Sequence, residues 1–383
     1  MSTALRGATA ITGIATAGTG EAPGFTPLEL LAQASIKALA DAGKTVADVD
    51  GLFVSTSVHG MAVISAAEYL GIHPRFANGS TIGGSSFVAH MLTAALALEA
   101  GLCDTALIAY GSNQRTASGK LVSLSEPQPF EAVHKPLFPI SAYAMAAARH
   151  MHEFGTTRTH LAEVAVAARR WAQLNPEAYR RTPLMIEDVL AARMVSDPLS
   201  VLDCCLVTDG AAAIVMTRAE AAKDGPHAPA YLLGCAASLS HRQIAQMEDL
   251  TVTAARDSGA RAYAMAKLGP ADIDVVELYD AFTINTILFL EDLGFCAKGE
   301  GGAFVSGGAI APGGRLPVNT NGGGLSCVHP GMYGLFLVVE AVQQLRGAAG
   351  ARQVPGVETA LAHGNGGTLS SQVTAILGTG ATL

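Results

Sequence analysis

Four loop segments, three of them glycine-rich, carry the side chains best suited to chemistry. They are Thr81-Ile82-Gly83-Gly84-Ser85-Ser86, Tyr279-Asp280-Ala281-Phe282, Gly324-Leu325-Ser326-Cys327-Val328-His329-Pro330-Gly331-Met332-Tyr333-Gly334 and His363-Gly364-Asn365-Gly366-Gly367. In α/β sheets, ligands bind where strand ends meet turns of this kind. A His-Pro pair among glycines is an uncommon packing motif, so His329 is a candidate hydrogen-bond donor. Tyr279 can deliver or remove a proton if a neighbouring donor or cation lowers its ordinary pKa near 10. The other reading is a core tyrosine with its hydroxyl satisfied. Asp280 either orients Tyr279 or caps a helix. Tyr333 and His363 suit packing or loop roles as well as catalysis. Cys327 is either a site residue or an inert small hydrophobe.

The elements that position these segments alternate apolar strands with Ala-rich amphipathic helices, an α/β pattern. A helix is expected over 26–42, with Thr26 as N-cap, Pro27 in the first turn and Gly43 as stop. A strand is expected over 50–54, a helix over 86–100 and a strand over 106–110. The order then repeats. The run Ala47-Asp48-Val49-Asp50-Gly51-Leu52-Phe53-Val54 aligns with Ala271-Asp272-Ile273-Asp274-Val275-Val276-Glu277-Leu278, and Asp104-Thr105-Ala106-Leu107 with Glu358-Thr359-Ala360-Leu361. Thr81-Ile82-Gly83-Gly84 pairs with Asn321-Gly322-Gly323-Gly324. Two duplicated halves are the physical reading. Residues 1–113 and 199–228 form the first half and 229–383 the second. Residues 114–198 form an inserted loop domain with Pro127-Gln128-Pro129, helices over 141–154 and 160–173, and Arg169, Arg170, Arg180 and Arg181.

Composition limits the alternatives. The chain has 383 residues, half of them apolar and only 15% charged, which excludes a disordered chain. Net charge is −8 and no basic cluster occurs, so nucleic acid is not an expected partner. Mean hydropathy is +0.33. No apolar run approaches the roughly 18 residues of a membrane span. The N-terminus lacks a basic region followed by an apolar one, so no signal peptide is expected. A cytoplasmic protein is the expectation, with an oligomer interface absorbing the apolar excess. The six cysteines include no CxxC pair, so neither a metal site nor disulfides are expected.

These motifs, in this order, resemble the thiolase superfamily over nearly the whole chain. Thr208-Asp209-Gly210-Ala211-Ala212-Ala213 is similar to its mid-chain Asp-Gly-Ala strand, His329-Pro330 to its Gly-His-Pro loop, Tyr279-Asp280-Ala281-Phe282 to its Asn-Glu-Ala-Phe or His-Asp-Cys-Phe loop, and His363-Gly364-Asn365-Gly366-Gly367 to its C-terminal glycine loop. The resemblance is greatest to the sterol-carrier-protein and lipid-transfer-protein thiolases, and within them to the steroid side-chain-cleaving aldolases. It implies duplicated βαβαβαββ halves in a five-layer αβαβα fold.

The departures inform most. The family's nucleophilic cysteine position falls on Thr81, with Ser85 nearby, and unactivated hydroxyls are far weaker nucleophiles. The acid/base cysteine of the last loop falls on Ala362. The resemblance therefore implies thioester enolate chemistry without a covalent intermediate. His329 would hold the enolate oxygen, Tyr279 would move a proton at the β-oxygen, and Gly366 would lend an oxyanion-hole amide. The implied activity is retro-aldol cleavage of a β-hydroxyacyl-CoA, such as a steroid side-chain CoA ester. Coenzyme A thioester is substrate, and no bound cofactor is implied. A homodimer and a small OB-fold/zinc-ribbon partner protein are implied. C-acyl transfer, or a non-catalytic acyl-CoA-binding subunit, are the other readings.

Overall fold

The computed structural model describes residues 4–118 and 130–383. Pro127-Gln128-Pro129 lies outside the described residues. The first half contains strand β1 (Thr9–Gly20), helix α1 (Pro27–Asp41), strand β2 (Gly51–Val54), helix α2 (Ala62–Leu70), strand β3 (Phe76–Asn78), helix α3 (Ser86–Glu99) and strand β4 (Ala106–Ser112). Helices α4 (Ile140–Phe154) and α5 (Arg158–Gln173) follow, and then β5 (Asp209–Arg218). The second half contains β6 (Ala230–Leu239), α6 (Ala255–Ala266), β7 (Val275–Leu278), α7 (Thr283–Asp292), α8 (Gly334–Leu345), β8 (Thr359–Gly366) and β9 (Ser371–Gly378).

Local chemistry sets the boundaries. At the start of α1, the Thr26 hydroxyl accepts the Glu29 N–H (3.2 Å) and the Glu29 carboxylate accepts the Thr26 N–H (2.7 Å). This reciprocal pair satisfies two of the N–H groups that a helix start leaves unpaired. Beyond the C-terminus, Gly43 takes φ +66°, a left-handed conformation that costs glycine little.

The strands form one hydrogen-bonded order, β3-β2-β4-β5-β1-β6-β9-β8-β7. Its centre is thin, since β1 and β6 share only the pairs Ala10–Tyr231 and Ile11–Ala230. Read outward from that junction, the two sides mirror each other. In each, two antiparallel pairings lead to parallel strands: β4 beside β2, and β8 beside β7. Helices α3 and α8 touch strands of both halves and each other, forming the middle layer. Both are buried on nearly every side, so apolar residues surround the axis instead of forming one stripe. Helix α1 covers the outside of the first half and α6 that of the second. This is the duplicated layered arrangement. Among the described residues, no helix is long and apolar enough to cross a membrane.

The duplication corrects one expected pairing. Asn321-Gly324 leads into a π-turn over Gly323–Cys327 and not directly into a helix. His329 precedes α8 by the same number of residues as Thr81 precedes α3. His329 is therefore the counterpart of Thr81, each standing before a central helix.

Candidate active site

The loops at the mouths of both halves enclose a cleft of about 670 Å³. Its lining includes Tyr279, His329, Thr81, Gly84, Asn365 and Gly366. Glycine is required where the loops meet. A Cβ on Gly84 would lie 2.3 Å from the Tyr279 ring, and one on Gly366 would lie 1.9 Å from the Ile82 carbonyl.

His329 is held through its backbone. Its N–H donates to Thr208 Oγ1 (3.0 Å) and its carbonyl accepts from Gln114 Nε2 (2.8 Å). Its ring lies on the cleft wall, 3% exposed, and neither ring nitrogen has a hydrogen-bond partner among the described residues. Burial pushes its pKa down to about 4, so the ring is neutral at pH 7. A neutral imidazole offers one N–H donor. Leaving such a group unpaired inside a protein costs about 1–3 kcal/mol, a cost that substrate would relieve.

Tyr279 stands edge-on to His329, with ring centroids 5.5 Å apart and planes at 86°. Strand β7 delivers it, and its N–H donates to the His363 carbonyl (3.0 Å). Its hydroxyl accepts the Tyr333 N–H (3.1 Å) and donates to the Gly331 carbonyl at a long 3.3 Å. The expected lowering of its pKa does not occur. Burial pushes it well above the ordinary value, and the Tyr333 N–H only partly opposes that. Tyr279 is thus a phenol at neutral pH and can act as an acid.

The other candidates lie behind this pair or beside it. Asp280, fully buried, accepts the N–H groups of Gly324 (2.6 Å) and Leu325 (3.3 Å), and burial raises its pKa to about 7. It braces the turn that leads to His329 and does not line the cleft. Tyr333 donates to Asn321 Oδ1 (3.1 Å) from a fully buried position. Cys327 lines a separate small pit with Asn175 and Arg352. His363 is fully buried, with Nδ1 against Thr374 Oγ1 and Nε2 against Gln372 Oε1, both at 2.9 Å. Ser85 pairs with Ser371 Oγ (2.7 Å) behind the glycine turn, while Thr81 lines the cleft with its hydroxyl 2.8 Å from Ser55 Oγ. Arg169 is buried and donates to Ser326 Oγ (2.9 Å), so it is unavailable to a phosphate.

Sequence reasoning missed Tyr143 and Cys205, both on the cleft wall. Nothing around Tyr143 marks it out in the sequence, since it sits in an ordinary Ala-rich helix. Asn365 was legible as the one amide in the last glycine loop. All six thiols are free, and burial raises the pKa of every one: Cys103 to about 11, Cys204, Cys235 and Cys296 to about 12, and Cys205 and Cys327 well above the ordinary value. None carries the depressed pKa of an activated nucleophile.

Comparison with known proteins defines the class. A family model described as thiolase C-terminal domain-like matches residues 236–379. An acetyl-CoA acetyltransferase of Methanothermobacter thermautotrophicus is 37% identical over 89% of this chain and 91% of that protein. The chain belongs to the thiolase superfamily. More particularly, the 17-hydroxy-3-oxo-4-pregnene-20-carboxyl-CoA lyase of Mycobacterium tuberculosis is 35% identical over 96% of this chain and 98% of its own. The solved Ltp2-ChsH2(DUF35) aldolase superposes with a TM-score of 0.87, at 32% identity over 98% of both chains.

Proposed function

We propose that this protein cleaves a β-hydroxyacyl-CoA by a retro-aldol reaction, without a covalent acyl-enzyme. One observation carries the reading: a neutral, unpartnered His329 faces a protonated Tyr279 in a cleft with no activated thiol. As the β-hydroxyl loses its proton, the Cα–Cβ bond breaks and its electron pair passes to the thioester. The His329 N–H meets the enolate oxygen, a donor typically worth about 3 kcal/mol in the transition state. Tyr279 then protonates Cα. The products are a ketone or aldehyde and a shortened acyl-CoA.

The predominantly apolar cleft suits a bulky apolar acyl group such as a steroid side chain. The lyase relative, named for a steroid carboxyl-CoA, supports that substrate class. We assign a homodimer working with a small OB-fold/zinc-ribbon partner; a solved relative whose name pairs Ltp2 with ChsH2(DUF35) supports the partner, and the apolar excess of the chain motivates the dimer. Six free thiols fit a reducing, cytoplasmic setting.

Purified protein, with that partner supplied, is expected to release a ketone or aldehyde from a β-hydroxy steroid CoA ester. Iodoacetamide pretreatment should leave the rate unchanged. The acetyltransferase relative favours the second reading, C-acyl transfer. One cysteine protected by acyl-CoA, whose alkylation abolished activity, would establish that reading instead.

A further inference from the structure

The retro-aldol reading leaves one proton without a destination. Tyr279 is protonated and beside His329, which suits it to deliver a proton to Cα. Something else must take the proton from the β-hydroxyl.

Tyr143 is the other phenol on the cleft wall. It comes from α4, with its ring against Phe282 at 4.5 Å between centroids. Its oxygen accepts from Asn365 Nδ2 (3.0 Å), and its proton is directed at the Gly367 carbonyl (3.0 Å). Asn365 is the last link of a buried chain. The Ser258 hydroxyl meets Thr374 Oγ1 (2.9 Å), Thr374 meets His363 Nδ1 (2.9 Å), and His363 Nε2 meets Gln372 Oε1 (2.9 Å). Gln372 Nε2 then donates to Asn365 Oδ1 (2.8 Å).

The chain has one consistent polarity. Gln372 uses its amide N–H on Asn365, so its oxygen must accept from His363, which therefore carries its proton on Nε2. Nδ1 then accepts from Thr374. Every link donates toward Tyr143, and successive links polarise one another. The Asn365 amide is thereby fixed as a donor, and it strengthens as negative charge develops on the Tyr143 oxygen. Tyr279 lacks such a side-chain donor. Strand β8 serves both phenols: the His363 carbonyl holds the Tyr279 backbone, and Asn365, next but one along, holds the Tyr143 oxygen.

We propose that Tyr143 is a catalytic residue, the group that takes the β-hydroxyl proton, with Asn365, Gln372 and His363 as positioning residues behind it. This rests on the retro-aldol reading. The balance closes. Tyr143 reacts from its phenolate form, the minor one at neutral pH because burial raises its pKa to about 12: the hydroxyl proton passes to that oxygen, the C–C electron pair passes to the thioester enolate, and the Tyr279 proton passes to Cα. Exchange with water returns Tyr143 to phenolate and Tyr279 to phenol. The reacting phenolate selects substrate: a β-hydroxyl has a proton to give it, whereas a β-ketone has none.

The test compares two reactions of one enzyme with its partner. The first is cleavage of a β-hydroxy steroid CoA ester. The second is exchange of the α-protons of the shortened acyl-CoA product in D2O, the reverse of the last proton transfer, which requires His329 and the phenolate form of Tyr279 but not Tyr143. Tyr143→Phe is expected to slow cleavage at least 100-fold and leave exchange within about threefold of wild type. In Asn365→Asp, a carboxylate beside the phenol should move the rise of cleavage rate with pH to more alkaline values. Cleavage by Tyr143→Phe near the wild-type rate would overturn the assignment, and so would equal loss of both reactions. Failure of the wild-type protein to cleave at all would count against the retro-aldol reading itself.

Discussion

Tyr279, Tyr143 and His329 divide the work because burial treats phenols and imidazoles in opposite ways. Removing water disfavours charge, which raises both tyrosines, Tyr143 to about 12, and lowers His329 to about 4. The histidine is thus a neutral donor with no titration between pH 5 and 8. The base is a phenolate whose population grows as pH approaches its raised pKa. Cleavage rate should therefore climb from pH 7 to pH 10 without a plateau, and a bell centred near pH 7 would contradict this. His329→Ala should lower kcat by about 100-fold or more at unchanged fold, measured by steady-state cleavage. At this scale the sequence was only partly legible. His329 could be named from its glycine-flanked loop, and Tyr279 from the Tyr-Asp-Ala-Phe run that ends a strand. The direction of the Tyr279 shift could not, because it depends on burial by segments distant in the chain. His363 and Tyr333 look like site residues in the sequence. In the fold, their side-chain hydrogen-bonding groups are engaged away from the cleft, and only their backbone reaches Tyr279.

The elements explain why so many glycines converge on one point. Gly83 takes φ +80°, and a Cβ there would lie 2.6 Å from the Gly367 nitrogen. Gly334, at the start of α8, would place its Cβ 2.2 Å from the Gly84 carbonyl. The loops touch backbone to backbone, and the Tyr279 ring fills the space over Gly84. Gly84→Ala should displace that ring and reduce kcat about 10–100-fold, because misplacement of about 1 Å costs that order of rate. A melting temperature within a few degrees of wild type would separate this from unfolding. Helices α1, α3, α4 and α5 and strands β2 and β4 were legible from caps and periodicity, α1 being the clearest case, whereas β1, α2, β6 and β9 were not. The pairing of Asn321-Gly324 with the first glycine turn was not, because a π-turn intervenes before α8.

At the scale of the whole molecule, duplication places two equivalent helix starts on either side of the cleft. One carries Thr81 and the other carries His329, so one helix start presents a hydroxyl to the cleft and the other an imidazole. The sheet ends on the short edge strand β3, and the same half exposes the apolar side chains of Met61, Ile64, Leu96 and Leu102. Exposed apolar residues and an unpaired edge invite a second copy. Light scattering should give twice the 39.1 kDa chain mass, and Ile64→Glu should shift it toward the monomer. The central claim is that enolate chemistry proceeds here through a phenol and an imidazole. Single-turnover cleavage of a β-hydroxy steroid CoA ester by Tyr279→Phe tests it most directly. A loss of at least 100-fold with substrate still bound is expected, and cleavage at the wild-type rate would rule out Tyr279 as the proton donor.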